Sequence, residues 1–215
     1  MAYPDDRRVT EYFRRSAVAL QIASADDKFC GTVGVIAGTV ERAVRTGGKI
    51  LLAGNGGSAA DAQHIAGEFV ARFALDRAPL PAIALTADTS VLTAIGNDFG
   101  FEHVFERQVL GLGRAGDVFI AISTSGRSSN ILTALRSARS IGMTTVGFTG
   151  ASTSSMKELC DICLCVPSNE TPLIQQVYMI AAHAICGIVE ASIFGARRVE
   201  DSQATVLDNR EPSDG

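Results

Sequence analysis

The sequence predicts an α/β fold: one domain on a five-stranded, mainly parallel sheet flanked by helices. Three observations predict it. Five short strand-like runs, apolar at residues 50–53, 82–85, 118–122 and 162–166 and Thr-rich at 144–149, are separated by stretches of helical period. That alternation implies parallel strands joined by helical crossovers, with helices on both faces of the sheet. The 215 residues are 47% hydrophobic and 20% charged, which suits a filled core in a single unit.

Residues 6–24 place Tyr12, Phe13, Ala17, Leu20 and Ile22 near a helical period. Residues 26–45 carry a second stripe, Phe29, Val33, Ile36, Val40 and Val44, which Gly47-Gly48 ends. Two helices ahead of the first strand exceed what a minimal doubly wound domain needs. Residues 1–46 are therefore predicted to form a helical arm on the domain or on a neighbouring subunit, and the protein to be a homo-oligomer. Strand 50–53 runs into the turn Gly54 to Gly57, and a helix begins near Ser58, whose hydroxyl predicts an N-cap. Pro79-Leu80-Pro81 breaks the chain before strand 82–85. A short helix is predicted over 86–97 with Asp88 or Thr89 as cap, then a turn at 96–100, and another helix over 101–112. Strand 118–122 leads into the polar run Ser123 to Asn130 and a helix over 129–140. Strand 144–149, a helix over 154–160 and strand 162–166 follow, and Pro172 starts a last helix that reaches Ile193. The domain is thus bounded at 47–195, and residues 196–215 read as a polar tail.

A formal charge of −4 and a pI near 5.4 leave no basic footprint for nucleic acid. No uninterrupted apolar run reaches the roughly eighteen residues that cross a bilayer, so no membrane partner is expected. The first residues, Met1 to Arg8, lack the apolar segment of a secretion signal, which predicts a cytoplasmic location. Of five cysteines, Cys160 and Cys163 have a metal-like spacing. No second pair completes a tetrathiolate site, and Cys163 and Cys165 alternate along a strand, so they read as small core residues.

Three segments carry chemistry. Gly54-x-Gly56-x-x-Ala59 formally matches a dinucleotide fingerprint, but its acid, Asp76, falls before Pro79 instead of at the end of the second strand. Ser123-Thr124-Ser125-Gly126-Arg127-Ser128 gathers hydroxyls, a flexible Gly and a helix start at the carboxyl end of a strand, which favours a phosphate cradle over an ordinary capped turn. Asp61, His64 and Glu68, three and four residues apart, share one helix face. On spacing alone, metal binding or acid–base work at His64 and Glu68 weighs the same as a packed His and a solvated Glu. His183 lies in a mostly apolar helix, where a structural role is the commoner one.

Gly54-Asn55-Gly56-Gly57-Ser58-Ala59-Ala60-Asp61-Ala62-Gln63-His64, Leu92-Thr93-Ala94-Ile95-Gly96-Asn97-Asp98 and Ile122-Ser123-Thr124-Ser125-Gly126 resemble the sugar isomerase (SIS) family, over residues 10–194 or so. Within it, they resemble the isomerases of seven-carbon sugar phosphates. The resemblance implies a single SIS domain of flavodoxin-like, three-layer αβα form. It implies Asn55, Gly56, Gly57, Ser58, Asn97 and Asp98 at the sugar, and Ser123, Thr124, Ser125 and Ser128 at the phosphate. It also implies a metal site, usually zinc, at His64, Glu68, Gln175 and His183, with Glu68 as base and His183 as its acid–base partner; Glu68 and Gln175 also count among the substrate contacts. The implied reaction converts D-sedoheptulose 7-phosphate into D-glycero-D-manno-heptose 7-phosphate in a cytoplasmic homotetramer. Three alternatives stand beside it: a non-catalytic SIS protein that associates with the replication initiator, a sugar-phosphate sensor, and an isomerase of another phosphosugar. The chain departs from the family in its final helix, where Leu173, Gln176 and Tyr178 replace an Arg, a Glu and a His. On a regular helix Gln176, seven residues before His183, would face that residue better than Gln175 does.

Overall fold

The computed structural model describes residues 6–152 and 155–208, with the backbone alone for 6 and 196–208. Two helices lead, α1 (Asp6–Ala25) and α2 (Asp27–Arg45). Between them the Asp26 carboxylate accepts the N–H groups of Lys28 and Phe29 and so caps α2. Gly47, at φ 84°, turns the chain toward β1 (Ile50–Ala53), which α3 (Gly57–Val70) follows. Next come β2 (Ala82–Ala84), α4 (Thr89–Phe99), a 3-10 turn at Phe101–His103, α5 (Glu106–Leu112) and β3 (Val118–Ile122). Then α6 (Ser129–Ser140), β4 (Thr144–Thr149), α7 (Ser155–Leu159), β5 (Ile162–Cys165) and α8 (Thr171–Asp208) complete the order.

The strands run β2-β1-β3-β4-β5, and every pair is parallel. Alternate residues of one strand therefore serve two cores. Ile50 and Leu52 face α2, α3 and α8, with Val118, Ile120 and Phe148 beside them. Leu51 and Ala53 face the opposite layer, where Val109 of α5 and Ile131, Ala134 and Leu135 of α6 pack. The three-layer form follows from this period of two. α2 buries Phe29, Val33, Ile36 and Val40 and lies along α8. α1 leaves Val9, Phe13, Val18 and Ile22 more than half exposed.

Several boundaries differ from those the sequence predicts. α4 starts three residues later because Asp88 accepts the Val91 N–H. It then passes through Asn97 and Asp98 and stops only at Gly100, φ 95°. The helix predicted over 101–112 divides at Val104 and Phe105, both buried. α8 extends past Ile193 into the predicted tail; residues 209–215 of that tail, like residue 154, lie outside the described residues. Its stretch Thr171–Gly195 is long and apolar enough to cross a bilayer. Here it is a core helix, burying Ile174, Val177, Tyr178, Ala182, Ile185 and Val189.

Candidate active site

β1 and β3 are neighbours whose connections leave in opposite directions along the sheet, so their carboxyl ends open a crevice. Two loops meet at it: Gly54–Gly57 after β1, and Ser123–Ser128 after β3. The Asn55 and Asn130 amides bind each other reciprocally, both bonds 2.9 Å, and tie the loops together. Gly56, at φ 57°, stands at the α3 N-terminus, where no side chain caps the helix. That leaves the dipole end facing the crevice.

Although its residue type predicts an N-cap, Ser58 does not cap α3. The helix begins one residue earlier, and the Ser58 side chain turns inward, buried, to bond the Tyr178 hydroxyl at 2.9 Å. Tyr178 donates to the Asp61 carboxylate at 2.5 Å. Burial first, then the bond to Asp61, pushes its phenol well above the usual range. The Gln175 amide lies over the glycine turn: a Cβ on Gly57 would stand 2.5 Å from its Nε2. Gln176 turns the other way and donates to the Tyr12 hydroxyl on α1 at 3.1 Å, so of the two glutamines Gln175 borders the crevice.

In the hydroxyl loop, Ser123 Oγ and Ser128 Oγ are 3.0 Å apart, and the Arg127 N–H reaches Ser125 Oγ at 3.3 Å. Gly126 takes φ 62°, which folds the loop tightly before α6. Thr124 Oγ1 stands 3.4 Å from Thr171 Oγ1 at the start of α8. Hydroxyls and N–H groups gathered at a helix start are able to accept an anion.

The third part is the cluster on α3 and α8. His64 Nε2 is 3.0 Å from Glu68 Oε1 and 3.4 Å from His183 Nε2, although 119 residues separate the two histidines. One ligand atom from each of the three lies within 4.8 Å of the others, the single such group of His, Cys, Asp or Glu among the described residues. Two imidazole nitrogens and a carboxylate oxygen suit a divalent ion of the zinc type. The Phe73 ring stacks on His183, centroids 5.8 Å apart at 30°.

Asn97 and Asp98 stand apart. They sit exposed on the last turn of α4, where the Asn97 amide donates to Asp98 at 2.7 Å. Beyond this mutual bond, no hydrogen bond links either to a further candidate site residue among the described residues. Of the five cysteines expected in the core, Cys186 is buried, Cys160, Cys163 and Cys165 are half-buried, and Cys30 is exposed. Cys163 and Cys165 Sγ lie 3.7 Å apart, and Cys163 lies against Gly147. The neighbouring Cys160 thiol, aided by burial, pushes the Cys163 thiol up to about 12. Sequence reasoning misses Asn130, Phe73, Arg77 and Glu190. Glu190 had a signal: it is the sole charged side chain in residues 171–195, and a lone acid in an apolar helix needs a buried partner.

A family model described as the SIS domain matches residues 21–150. A phosphoheptose isomerase of Burkholderia pseudomallei is 55% identical over 194 residues, 89% of this chain and 98% of that one. One from Aneurinibacillus thermoaerophilus is 55% identical over 79% of this chain and 86% of its own. Among solved structures, the phosphoheptose isomerase of Neisseria gonorrhoeae superposes with a TM-score of 0.81 at 40% identity, over 86% of this chain and 98% of that one. The Francisella tularensis phosphoheptose isomerase gives 0.82 at 35% identity over 87% and 98%. The chain belongs to the SIS domain family and, inside it, to the phosphoheptose isomerases.

Proposed function

We infer that this protein is an aldose–ketose isomerase that converts D-sedoheptulose 7-phosphate into D-glycero-D-manno-heptose 7-phosphate, the first step toward a nucleotide-activated heptose. The observation that carries the reading is the convergence of His64, Glu68 and His183 between α3 and α8, in a chain 55% identical to a phosphoheptose isomerase. The reaction moves a carbonyl between C1 and C2, so a proton leaves one carbon and returns to its neighbour through an enediol or enediolate. Glu68 is the base that takes and returns that proton. His183 exchanges protons with the substrate oxygens. Ser123, Thr124, Ser125 and Ser128 hold the phosphate, while Asn55, Gly56, Gly57 and Gln175 hold the sugar; fixing the far end of the chain orients C1 and C2 for transfer.

His64, Glu68 and His183 are the residues that would hold zinc; Gln175, expected as a fourth ligand, lies instead over Gly57, eight residues along α8 from His183. Bound there, the ion would supply Lewis-acid polarisation of the substrate oxygens. A Glu68 oxygen engaged as a ligand is a weaker base, so the carboxylate's two roles compete. Ser58 acts from behind the turn, through Tyr178, and Asn97 and Asp98 reach the sugar only if another part of the assembly brings it to α4.

A homotetramer is the assembly we propose. Val9, Phe13, Val18 and Ile22 on α1 and Ile180 and Ile188 on α8 expose apolar surface. A 310 Å³ apolar cavity between α1, α2 and α8, lined by Leu20, Phe29, Val33 and Val177, adjoins it. The helical arm would cover this surface against a neighbouring copy. Free thiols at all five cysteines and a charged substrate accord with work in the cytoplasm.

NMR observation of sedoheptulose 7-phosphate, with and without added zinc, tests the reading. Aldose signals should grow with the wild type and be absent with Glu68→Gln. Full turnover by Glu68→Gln would remove the base assignment, and no turnover by the wild type under either condition would remove the function.

A further inference from the structure

Residues 71–81, between α3 and β2, contain no regular structure, yet they are pinned firmly. Glu190 on α8 accepts the N–H groups of Phe73, Ala74 and Leu75 at 3.0, 2.8 and 2.7 Å. Its fourth bond comes from Arg77 Nε at 2.7 Å. Both side chains are only 2% exposed. The rest of the guanidinium faces α3: Nη2 donates to the Glu68 carbonyl and Nη1 to the Phe69 carbonyl, each at 2.8 Å, and Nη1 also to Ala78 at 2.9 Å. The Phe69 and Glu68 carbonyls belong to the last turn of α3, where no helical N–H remains to meet them. The planar fork thus closes α3 and joins it to α8 at once.

A buried ion pair is weak evidence for stability, because desolvation offsets most of its attraction. Its geometry here points to another use. Glu68 is the residue whose carbonyl Arg77 grips. His183, Gly187 and Glu190, at spacings of four and three, share one stripe of α8. The loop that Glu190 anchors lays Phe73 on the His183 ring, and Gly187 leaves room for it: a Cβ there would sit 3.2 Å from Phe73 Cε1.

We propose that Arg77 and Glu190 are positioning residues for the isomerase site, setting Glu68 on α3 against His183 on α8 and holding Phe73 on the His183 ring. The proposal rests on the function inferred above. Neither side chain reaches the crevice; both act through the backbone of Glu68 and the loop that carries Phe73.

The test uses Arg77→Lys, which keeps the charge and loses the fork, Phe73→Leu at a partly exposed position, and Leu135→Ala in the opposite core as a destabilised control. Arg77→Lys should lower kcat about tenfold or more, since displacement of a catalytic group by ~1 Å costs on the order of a hundredfold. KM should stay within about threefold, because uniform substrate binding is untouched. Phe73→Leu should lower kcat in the same sense, with Phe73→Tyr restoring it. Leu135→Ala, assayed well below its melting temperature, should keep the wild-type kcat. A second readout needs no turnover: the His183 ring protons, shifted by the Phe73 ring current in the wild type, should move in Arg77→Lys to their Phe73→Leu positions. Wild-type kcat and unmoved ring signals in folded Arg77→Lys, or an equal kcat loss in Leu135→Ala, would overturn the proposal. A wild type inactive on sedoheptulose 7-phosphate would instead remove the function, while the ring signals would still decide whether the clasp holds Phe73 on His183.

Discussion

Replacing Tyr178 by Phe deletes one oxygen from a fully buried ring. That oxygen donates to Asp61 at 2.5 Å and meets Ser58 Oγ at 2.9 Å, joining α8 to the first turns of α3. Loss of a hydrogen bond to a charged group costs about 1.5–3 kcal/mol. Ser58 is buried and loses its partner, whereas Asp61 is half-buried and regains water, so the two corrections oppose each other. We expect a net destabilisation of about 2 kcal/mol, which for a chain of this size lowers Tm by about 4–8 °C. The pH dependence carries a second signature. The phenol is raised from an ordinary value of 10.0, first by burial and then by Asp61. Its contribution is therefore complete below pH 10 and fades as pH rises toward the folded-state value. Urea midpoints measured from neutral pH to about pH 11 should fall for the wild type and stay flatter for Tyr178→Phe above pH 10. A variant with the wild-type Tm and the same alkaline slope would show that the Tyr178–Asp61 bond contributes nothing to the join between α3 and α8.

Three further outcomes follow from the same geometry. Burial alone would raise the Glu190 carboxyl, but the N–H groups of Leu75, Phe73 and Ala74 and the Arg77 guanidinium hold it below the usual 4.5. Its stabilisation is thus present above pH 4.5 and lost as pH falls through the lowered value. Acid titrations of stability should show a smaller loss below about pH 4 in Glu190→Gln, and an unchanged acid slope would contradict this. His64→Ala removes one of three converging donors, so calorimetric zinc affinity should fall by more than the roughly 10–100-fold typical of losing an outer-shell partner; an unchanged Kd places the ion elsewhere. Gly57→Ala puts a Cβ 2.5 Å from Gln175 Nε2, the end of a flexible side chain, so the amide should swing away at little cost in Tm while KM for the sugar phosphate rises; an unaltered KM would free Gln175 from any part in binding.

The strands and most helices were legible locally. The residues of β1, Ile50 to Ala53, are apolar in a run because both faces of a parallel strand are covered. The hydroxyl loop announced itself through residue type at the end of β3. His64 and Glu68 were legible as a pair, since four residues on a helix set their side chains one above the other. Helix edges were less so, because capping at Asp88 and the stop at Gly100 depend on which of several adjacent candidates the backbone uses.

What the sequence by itself determined is therefore the αβα class, the strand order's raw material, and half of the site, all of it carried by periods of two and 3.6 and by turn chemistry. Resemblance, not spacing, named His183. Tertiary structure alone decided that α8 would lay His183 3.4 Å from His64 and that Gln175 would border the crevice while Gln176 reaches α1. It likewise turned Ser58 into the core against Tyr178, left Asn97 and Asp98 apart on α4, and clasped Arg77 to Glu190 across 113 residues. The physical reason is common to all of these. Period and residue type constrain a few turns of chain, whereas the meeting of α3 with α8 depends on how two helices pack on one face of a sheet.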